Sequence, residues 1–144
     1  MPPQPSALAD IPNGSVTSAR GFTAAAAHAG LKADGALDVA LLVSATSCAT
    51  AGVFTKNALR AAPVVYDADL LAERPGRVRA VAMNARVANA CTGAPGLAAA
   101  RAMAQAAEQA AALPPRTALV LSTGVIGVPL PVEQVAQGLR AAAE

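Results

Sequence analysis

The segment "TALVLSTGVIGVPLPVEQVAQGLRAAAE", residues 117–144, decides the fold prediction. It opens on a short apolar run, Thr117–Ser122, that is typical of a buried strand. A turn rich in glycine, proline and hydroxyl residues follows at Ser122–Pro131, and apolar residues then recur at helical spacing up to residue 144. A strand, a tight turn and a helix in that order indicate one unit of an α/β domain.

The residues immediately before this segment repeat the same order. "VRAVAMNA" (Val78–Ala85) predicts a second buried strand, and the alanine-rich stretch from Cys91 to Leu113 predicts a long helix with Thr92 as its N-cap. Two prolines then end the helix. Strand, helix, strand and helix in succession predict a sheet packed against helices.

The first half of the chain is less regular. "DVALLVS" (Asp38–Ser44) predicts a strand buried on both faces, and "AGVFT" (Ala51–Thr55) and "APVVYD" (Ala62–Asp67) are shorter strand candidates. "DADLLAER" (Asp67–Arg74) predicts a short helix with Asp67 as N-cap, ending before the next proline.

The composition suggests a domain that needs a covering surface from elsewhere. The 144 residues are enough for one domain, and 54% of them are hydrophobic. The aromatic residues are Phe22, Phe54 and Tyr66. A core of alanine, valine and leucine buries little area per residue, so we expect surfaces from a partner chain to contribute.

Several classes of partner are excluded by charge and hydropathy. The net charge is +2 and the arginines are scattered, apart from "RPGRVR" (Arg74–Arg79). Binding of nucleic acid needs a basic stripe with stacking aromatics, so we expect no nucleic-acid partner. The apolar stretches are interrupted before the roughly 18–20 residues that a membrane span requires, so we expect no membrane partner.

The cysteines and the N-terminus indicate a cytoplasmic location. Cys48 and Cys91 lack the spacing of metal ligands and are expected to be free thiols, with no metal bound. Residues 1–14 lack the basic and apolar regions of a signal peptide and are expected to be a flexible lead-in. We therefore assign residues 15–144 to the α/β domain.

Candidate chemistry lies at three turns that follow strands: Ser44–Thr55, Met83–Gly93 and Ser122–Pro131. Asparagine, serine and threonine at such turns are usually caps or turn formers. In the third turn, Thr123 offers a hydroxyl donor, and Gly124 allows close backbone approach because it lacks a Cβ atom. A hydroxyl and a neighbouring amide can together hold a developing oxyanion.

Two other site types are disfavoured. The third turn lacks the lysine and the glycine spacing of a phosphate-binding loop. His28 is the single histidine, and no nucleophile–histidine arrangement is evident around it, so we expect a surface or packing role. The residues assign no substrate-binding position.

Four segments in order resemble the ornithine acetyltransferases, the bifunctional glutamate N-acetyltransferases of arginine biosynthesis. They are "GFTAAAAHAGLK" (21–32), "AGVFTKN" with "AAPV" (51–64), "ANACTG" (88–93) and "STGVIGVPLP" (122–131). The resemblance covers nearly everything from Ser15 onward. It implies helices layered on a mixed β-sheet, with this chain as the N-terminal part of that fold.

The resemblance also implies a mechanism. The precursor in that family cleaves itself before a threonine, and this threonine carries acetyl from N-acetylornithine to glutamate. By the resemblance, Thr123 and Gly124 are the oxyanion-hole donors, the partner is the β chain of the same precursor in a hetero-oligomer, and no cofactor is bound. Acetyl-coenzyme A is a further substrate in some members.

The sequence departs from the family pattern in two places. The 144 residues contain no Thr-Thr pair, so the cleavage segment and nucleophile have no counterpart, and the chain alone is expected to be inactive. Arg86 and Val87 replace a glycine and an asparagine of the family. A turn that needs a positive φ at the first of these positions would strain Arg86.

Two other interpretations stay open. The chain can be a non-catalytic, truncated paralogue or a structural partner chain of the same fold. It can also be a small-ligand-binding domain that uses the same turns.

Overall fold

A computed structural model describes residues 10–144, which form a four-stranded sheet in the order β1-β2-β3-β4. The strands are β1 (Phe22–Ala27), β2 (Val39–Cys48), β3 (Val78–Asn84) and β4 (Ala118–Ser122). The first three strands pair antiparallel, whereas β3 and β4 are parallel. The sheet is therefore mixed, as the resemblance implied.

Three helices cover one face of this sheet. They are α1 (Ala62–Glu73), α2 (Gly93–Ala110) and α3 (Val132–Ala143). Alternate strand residues point toward them and are buried, and the largest fully buried apolar side chains come from all three helices and β4: Leu70, Met103, Val120, Val135 and Leu139. This arrangement confirms the predicted α/β class. No helix within residues 10–144 is long and apolar enough to cross a membrane.

The other face of the sheet, here called the open face, has no helix packed on it within residues 10–144. In β2, Val39 and Leu41 are buried beneath the helices, whereas Ala40 and Leu42 are only partly buried. The prediction of a strand buried on both faces was therefore wrong. Apolar side chains with exposed area on the open face come from all four strands: Ala24, Leu42, Val81, Met83 and Leu121.

The strand predictions in the first half need two further corrections. Residues 51–55 form no strand and are exposed, because nothing in the described chain packs on Val53. Residues 62–67 are the first half of α1, which has Pro63 in its first turn, where a proline is tolerated. Asp67 therefore lies inside the helix and does not cap it, although the helix ends before Pro75 as predicted.

β1 was absent from the predictions because its sequence, "FTAAAA", carries little strand propensity. Its order comes from pairing with β2, from Phe22 opposite Ser44 to Ala27 opposite Val39. Of the predicted lead-in, residues 1–14, the first nine lie outside the described residues. Residues 10–14 are exposed and contain a turn, and the boundary of the domain at Ser15 stays a prediction.

A buried carboxylate, Glu108, and a partly buried one, Asp67, satisfy the outer edge of β4. The amides of Thr117 and Ala118 donate to Glu108 Oε1 at 2.8 and 3.1 Å, and the amide of Val120 donates to Asp67 Oδ1 at 3.0 Å. An edge strand otherwise presents unpaired backbone groups. Side chains from α1 and α2 therefore take the place of a fifth strand and hold β4 in position.

This packing raises the pKa values of two side chains of α1, Asp67 and Tyr66. Burial raises the pKa of Asp67 to about 6, although the Val120 amide partly offsets the rise. Burial, with the negative charges of Glu108 and Asp67, raises the pKa of Tyr66 to about 12. The Tyr66 hydroxyl accordingly stays protonated and donates to the Ala118 carbonyl at 3.2 Å.

Asp67→Asn is expected to stabilise the protein at neutral pH. The folded-state pKa of about 6 lies above the ordinary aspartate pKa of 3.8, so the contribution of Asp67 to stability is present below about pH 4 and is lost as the pH rises through about 6. Asparagine keeps the acceptor for Val120 without the charge. We expect a gain of about 1–2 kcal/mol at pH 7.5, because partial exposure reduces the effect.

Urea unfolding at pH 4, 6 and 7.5 measures this gain as the difference between the variant and the original protein. Asp69→Asn, at an exposed position of the same helix, is the matched control and should follow the original protein at every pH. A gain that is the same at all three pH values would show that the charge of Asp67 is not its cause.

Candidate active site

The turns that follow β3 and β4 lie side by side. Because the two strands are parallel and Asn84 is paired with Ser122, both chains leave the sheet at the same edge. The amide of Thr123 donates to the Asn84 carbonyl at 3.0 Å, and an isolated parallel bridge joins Val87 to Val125. The pairing of the strands is thus continued into their turns.

Three backbone hydrogen bonds fasten the second turn to the first. The amide of Val125 donates to the Arg86 carbonyl at 2.9 Å, and the amide of Ala88 donates to the Val125 carbonyl at 3.0 Å. The amide of Gly127 donates to the Ala90 carbonyl at 2.9 Å. Such bonds limit the freedom of an otherwise exposed loop, so the groups on it are held in a defined geometry.

Gly124 lies at the closest point between the two turns. Its φ is +135°, and a Cβ atom added there would lie 2.1 Å from the carbonyl carbon of Arg86. A side chain at position 124 is therefore excluded. The close approach that the sequence suggested for this glycine is, in this structure, an approach to the neighbouring turn.

The two predicted oxyanion donors are both exposed and unengaged. Within residues 10–144, neither the Gly124 amide nor the Thr123 hydroxyl donates to another group of the protein. Thr123 lines a cavity of about 350 Å³ together with Ala40, Met83 and Leu121 of the open face. Their convergence on one acyl oxygen stays a prediction.

Arg86 adopts a left-handed backbone conformation, which is the case in which the sequence analysis expected strain. Its φ is +72°, so the turn does require a positive φ at this position, and a non-glycine residue is strained there. Asn89 and Cys91 in the same turn also have positive φ values, of 50° and 56°. The Arg86 side chain is exposed.

The polar residues of the first of these turns are structural. Asn84 Nδ2 donates to the carbonyls of Ala85 and Val87 at 3.0 and 2.9 Å. Asn89 is fully buried, and its Oδ1 accepts the Thr92 hydroxyl at 2.8 Å. Thr92 stands at the N-cap position of α2, as predicted, but its hydroxyl does not cap the helix.

Two buried oxygens beneath the turns have no partner. Asn84 Oδ1 and Ser122 Oγ accept or donate no hydrogen bond within the described residues. The two residues are paired across β3 and β4. The structure shows no group that satisfies them.

The candidate turn at Ser44–Thr55 lies elsewhere. β2 runs antiparallel to β3, so Cys48 is paired with Val78 at the start of β3, at the edge opposite the turns described above. The structure therefore brings two of the three candidate turns together and separates the third from them.

The loop between β1 and β2 lies at the same edge of the sheet as the turns that follow β3 and β4. The amide of Ala85 donates to the Asp38 carbonyl at 2.8 Å. The Asp38 carboxylate is fully buried and accepts the amides of Ala29, Leu31 and Lys32 at 2.6–2.8 Å. Asp38 was not among the predicted site residues, because its only signal in the sequence is a charge before an apolar run.

His28 belongs to this loop and not to a catalytic arrangement. Its Nδ1 lies 3.0 Å from the Ala36 carbonyl oxygen and 3.4 Å from Asp38 Oδ2. Burial raises the pKa of Asp38, but the amides of Ala29, Lys32 and Leu31 and the nearby His28 together lower it below its usual value. The ionised carboxylate is the form that orders the loop.

Metal-binding side chains are not clustered in the described part of the chain. Residues 10–144 contain no group of three or more histidine, cysteine, aspartate or glutamate residues able to hold a metal ion. Cys48 and Cys91 are free thiols, the first partly buried and the second exposed.

Comparisons with known proteins agree on one family. A profile of the ArgJ family matches residues 23–144. The arginine biosynthesis bifunctional protein ArgJ of Symbiobacterium thermophilum is 48% identical over 132 residues, and that of Thermotoga neapolitana is 44% identical over 123. These matches cover 90% and 85% of this chain but only 32% and 31% of the relatives, so the chain spans about a third of their length.

Two crystal structures resemble the fold closely. The ArgJ protein of Bacillus halodurans matches with a TM-score of 0.85 and 34% identity, over 93% of this chain and 71% of that chain. The ornithine acetyltransferase of Mycobacterium tuberculosis, in complex with ornithine, matches with a TM-score of 0.80 and 41% identity. That match covers 86% of this chain and 66% of the other.

Alanine substitutions at Gly124 and Gly127 are expected to differ in their cost. Both glycines have a positive φ, but a Cβ atom at Gly127 meets nothing within 4 Å, whereas one at Gly124 meets the backbone of Arg86. We expect a loss of about 1 kcal/mol for Gly127→Ala and of about 3 kcal/mol or more for Gly124→Ala. Urea unfolding of the two variants measures this. Equal losses would contradict the close contact between the turns.

Proposed function

The chain belongs to the ArgJ family, and on that premise we propose that it forms part of an ornithine acetyltransferase of arginine biosynthesis. The proposed reaction moves an acetyl group from N-acetylornithine to glutamate through an acyl-threonine. This chain contributes the oxyanion hole. The observation that carries the proposal is the unengaged Gly124 amide beside the Thr123 hydroxyl, on a turn that three backbone hydrogen bonds hold in place.

The proposed role of these two donors is to bind the acetyl oxygen as it becomes negatively charged. A tetrahedral intermediate places a full charge on that oxygen, and donors already fixed in position need no reorganisation. Each such donor contributes about 2.7–4 kcal/mol to stabilisation of the transition state. The turn is suited to this role because its backbone hydrogen bonds to the neighbouring turn hold it in a defined geometry.

We propose that a threonine of the same precursor supplies the nucleophile. Its hydroxyl oxygen bonds to the acetyl carbon, the bond from that carbon to the ornithine nitrogen breaks, and the hydroxyl proton passes through the threonine α-amine to the leaving amine. The amine of glutamate then bonds to the acetyl carbon, the bond from that carbon to the threonine oxygen breaks, and a proton of the glutamate amine returns to the threonine oxygen. No bound cofactor is proposed, and acetyl-coenzyme A is an alternative acetyl donor.

The proposed partner is a β chain of this precursor that covers the open face in a hetero-oligomer. Apolar residues are exposed on that face and on the site turn: Leu121 at 48%, Val125 at 51% and Ile126 at 64%. A partner seated there would bury them and close the cavity beside Thr123, which excludes water from the reaction. The cytoplasm is the proposed compartment, with which the two free thiols are compatible.

A non-catalytic chain of the same fold is the second candidate. The observation that favours it is the strained Arg86 at a position where the family has glycine. Acetyl transfer by the purified native protein would exclude this candidate, and its absence would favour it.

Thr123→Ala is expected to lower kcat more than it raises KM. The hydroxyl acts mainly on the charge of the transition state, so we expect kcat to fall by about 10²–10³-fold. Steady-state kinetics of the native protein with N-acetylornithine and glutamate measure both constants. Thr123→Ser keeps the hydroxyl and is the matched control, expected to retain most of the activity. An equal loss in both variants would argue against the oxyanion role.

Leu121→Glu is expected to prevent association with the partner chain. Leu121 points away from the helices, so the substitution should leave the α/β core intact while it places a charge on the covered face. We expect the partner to co-purify with the original chain and not with the variant. Val53→Glu, at a fully exposed position of an irregular segment, is the control and should retain the partner. Co-purification with Leu121→Glu would place the interface elsewhere.

A further inference from the structure

Arg86 is the single charged side chain in the two turns of the site. No other lysine, arginine, aspartate or glutamate occurs within residues 80–100 or 117–132. The Arg86 side chain is exposed, and within residues 10–144 its guanidinium forms neither an ion pair nor a hydrogen bond. The guanidinium of Arg86 is therefore a positive charge without a partner, in one of the two turns that form the candidate site.

The backbone of Arg86 connects it directly to the oxyanion donors. Its carbonyl accepts the Val125 amide at 2.9 Å, and its Cα would lie 2.6 Å from a Cβ atom at Gly124. The arginine side chain therefore starts from a backbone that touches Gly124. It does so at a cost, because an arginine at φ +72° is less favourable than a glycine. Strain of this kind is common where a side chain is needed in a particular place.

We propose that the guanidinium of Arg86 binds the α-carboxylate of the amino-acid substrate while Thr123 and Gly124 bind its acyl oxygen. This inference rests on the proposed function. In an N-acylated amino acid, only the nitrogen and the α-carbon separate the acyl carbon from the carboxylate, so a cation on a side chain that starts near the oxyanion donors can reach that group. The planar guanidinium can form two parallel hydrogen bonds to a carboxylate.

The same contact serves both halves of the reaction. Glutamate carries its α-carboxylate next to the amine that accepts the acetyl group, as N-acetylornithine does next to the amide that donates it. No carboxylate of the two turns competes for Arg86, since neither turn contains an acidic residue. Covering by the partner chain would lower the local dielectric and strengthen the ion pair.

The test compares N-acetylornithine with N-acetylputrescine, which lacks only the carboxylate, as acetyl donors for the native protein. Arg86→Gln removes the charge and keeps the side chain long, and Arg86→Lys keeps the charge without the two parallel hydrogen bonds. We expect Arg86→Gln to reduce the preference for N-acetylornithine, as a ratio of kcat/KM values, by about 10–100-fold. Arg86→Lys should give an intermediate loss. The ratio does not depend on the fraction of folded protein.

Equal losses on both donors, or an unchanged ratio, would overturn the proposal for Arg86 and leave the transferase in place. Calorimetry measures the binding of N-acetylornithine and N-acetylputrescine directly, and so tests the carboxylate site even where no acetyl group is transferred. If the native protein transfers no acetyl group but binds N-acetylornithine, and Arg86→Gln weakens that binding alone, the carboxylate site stands and the transferase fails. Absence of both binding and transfer would overturn both. Weakened binding of coenzyme A alone would assign Arg86 to a phosphate and overturn the carboxylate site.

Discussion

The parallel pairing of β3 with β4 is the constraint on which the site depends. It brings the two strand ends to one edge, and the amide of Thr123 extends the ladder by donating to the Asn84 carbonyl. Past that point the turns approach until Gly124 touches the backbone of Arg86, which no side chain at position 124 would allow. The glycine is nevertheless exposed, and its amide donates to no group within the described residues.

The helices contribute to the site by holding β4. As an edge strand it would be free to pair elsewhere, but Glu108 and Asp67 accept its outer amides. This solution has a thermodynamic cost, since burial raises the pKa of Asp67 and penalises its charged form. β4, which leads into the candidate oxyanion hole, is therefore positioned in part by a carboxylate whose charged form is destabilised by burial.

The two faces of the sheet are covered unequally. One face of the sheet is packed under three helices, and the open face keeps apolar side chains in solvent beside the cavity at Thr123. Within the described chain the site offers two hydrogen-bond donors and an unpaired arginine. The low aromatic content has the same consequence, because alanine-rich layers bury little area unless a second surface covers them.

The sequence by itself determined the strands and helices of the second half of the chain and the turn at Ser122–Pro131, and through the family resemblance it indicated a mixed sheet. Apolar runs, prolines and glycines are signals that a short segment carries alone. Tertiary structure decided the rest. β1 is a strand only because β2 pairs with it, and residues 62–67 are helical only because α1 packs on β4 and α2. The sequence could state the positive φ of Arg86 only as a condition, because that conformation accompanies a contact with Gly124. The two residues are 38 positions apart in the chain but adjacent in space. Interactions between distant segments leave no local pattern, so they emerge only when the chain is folded.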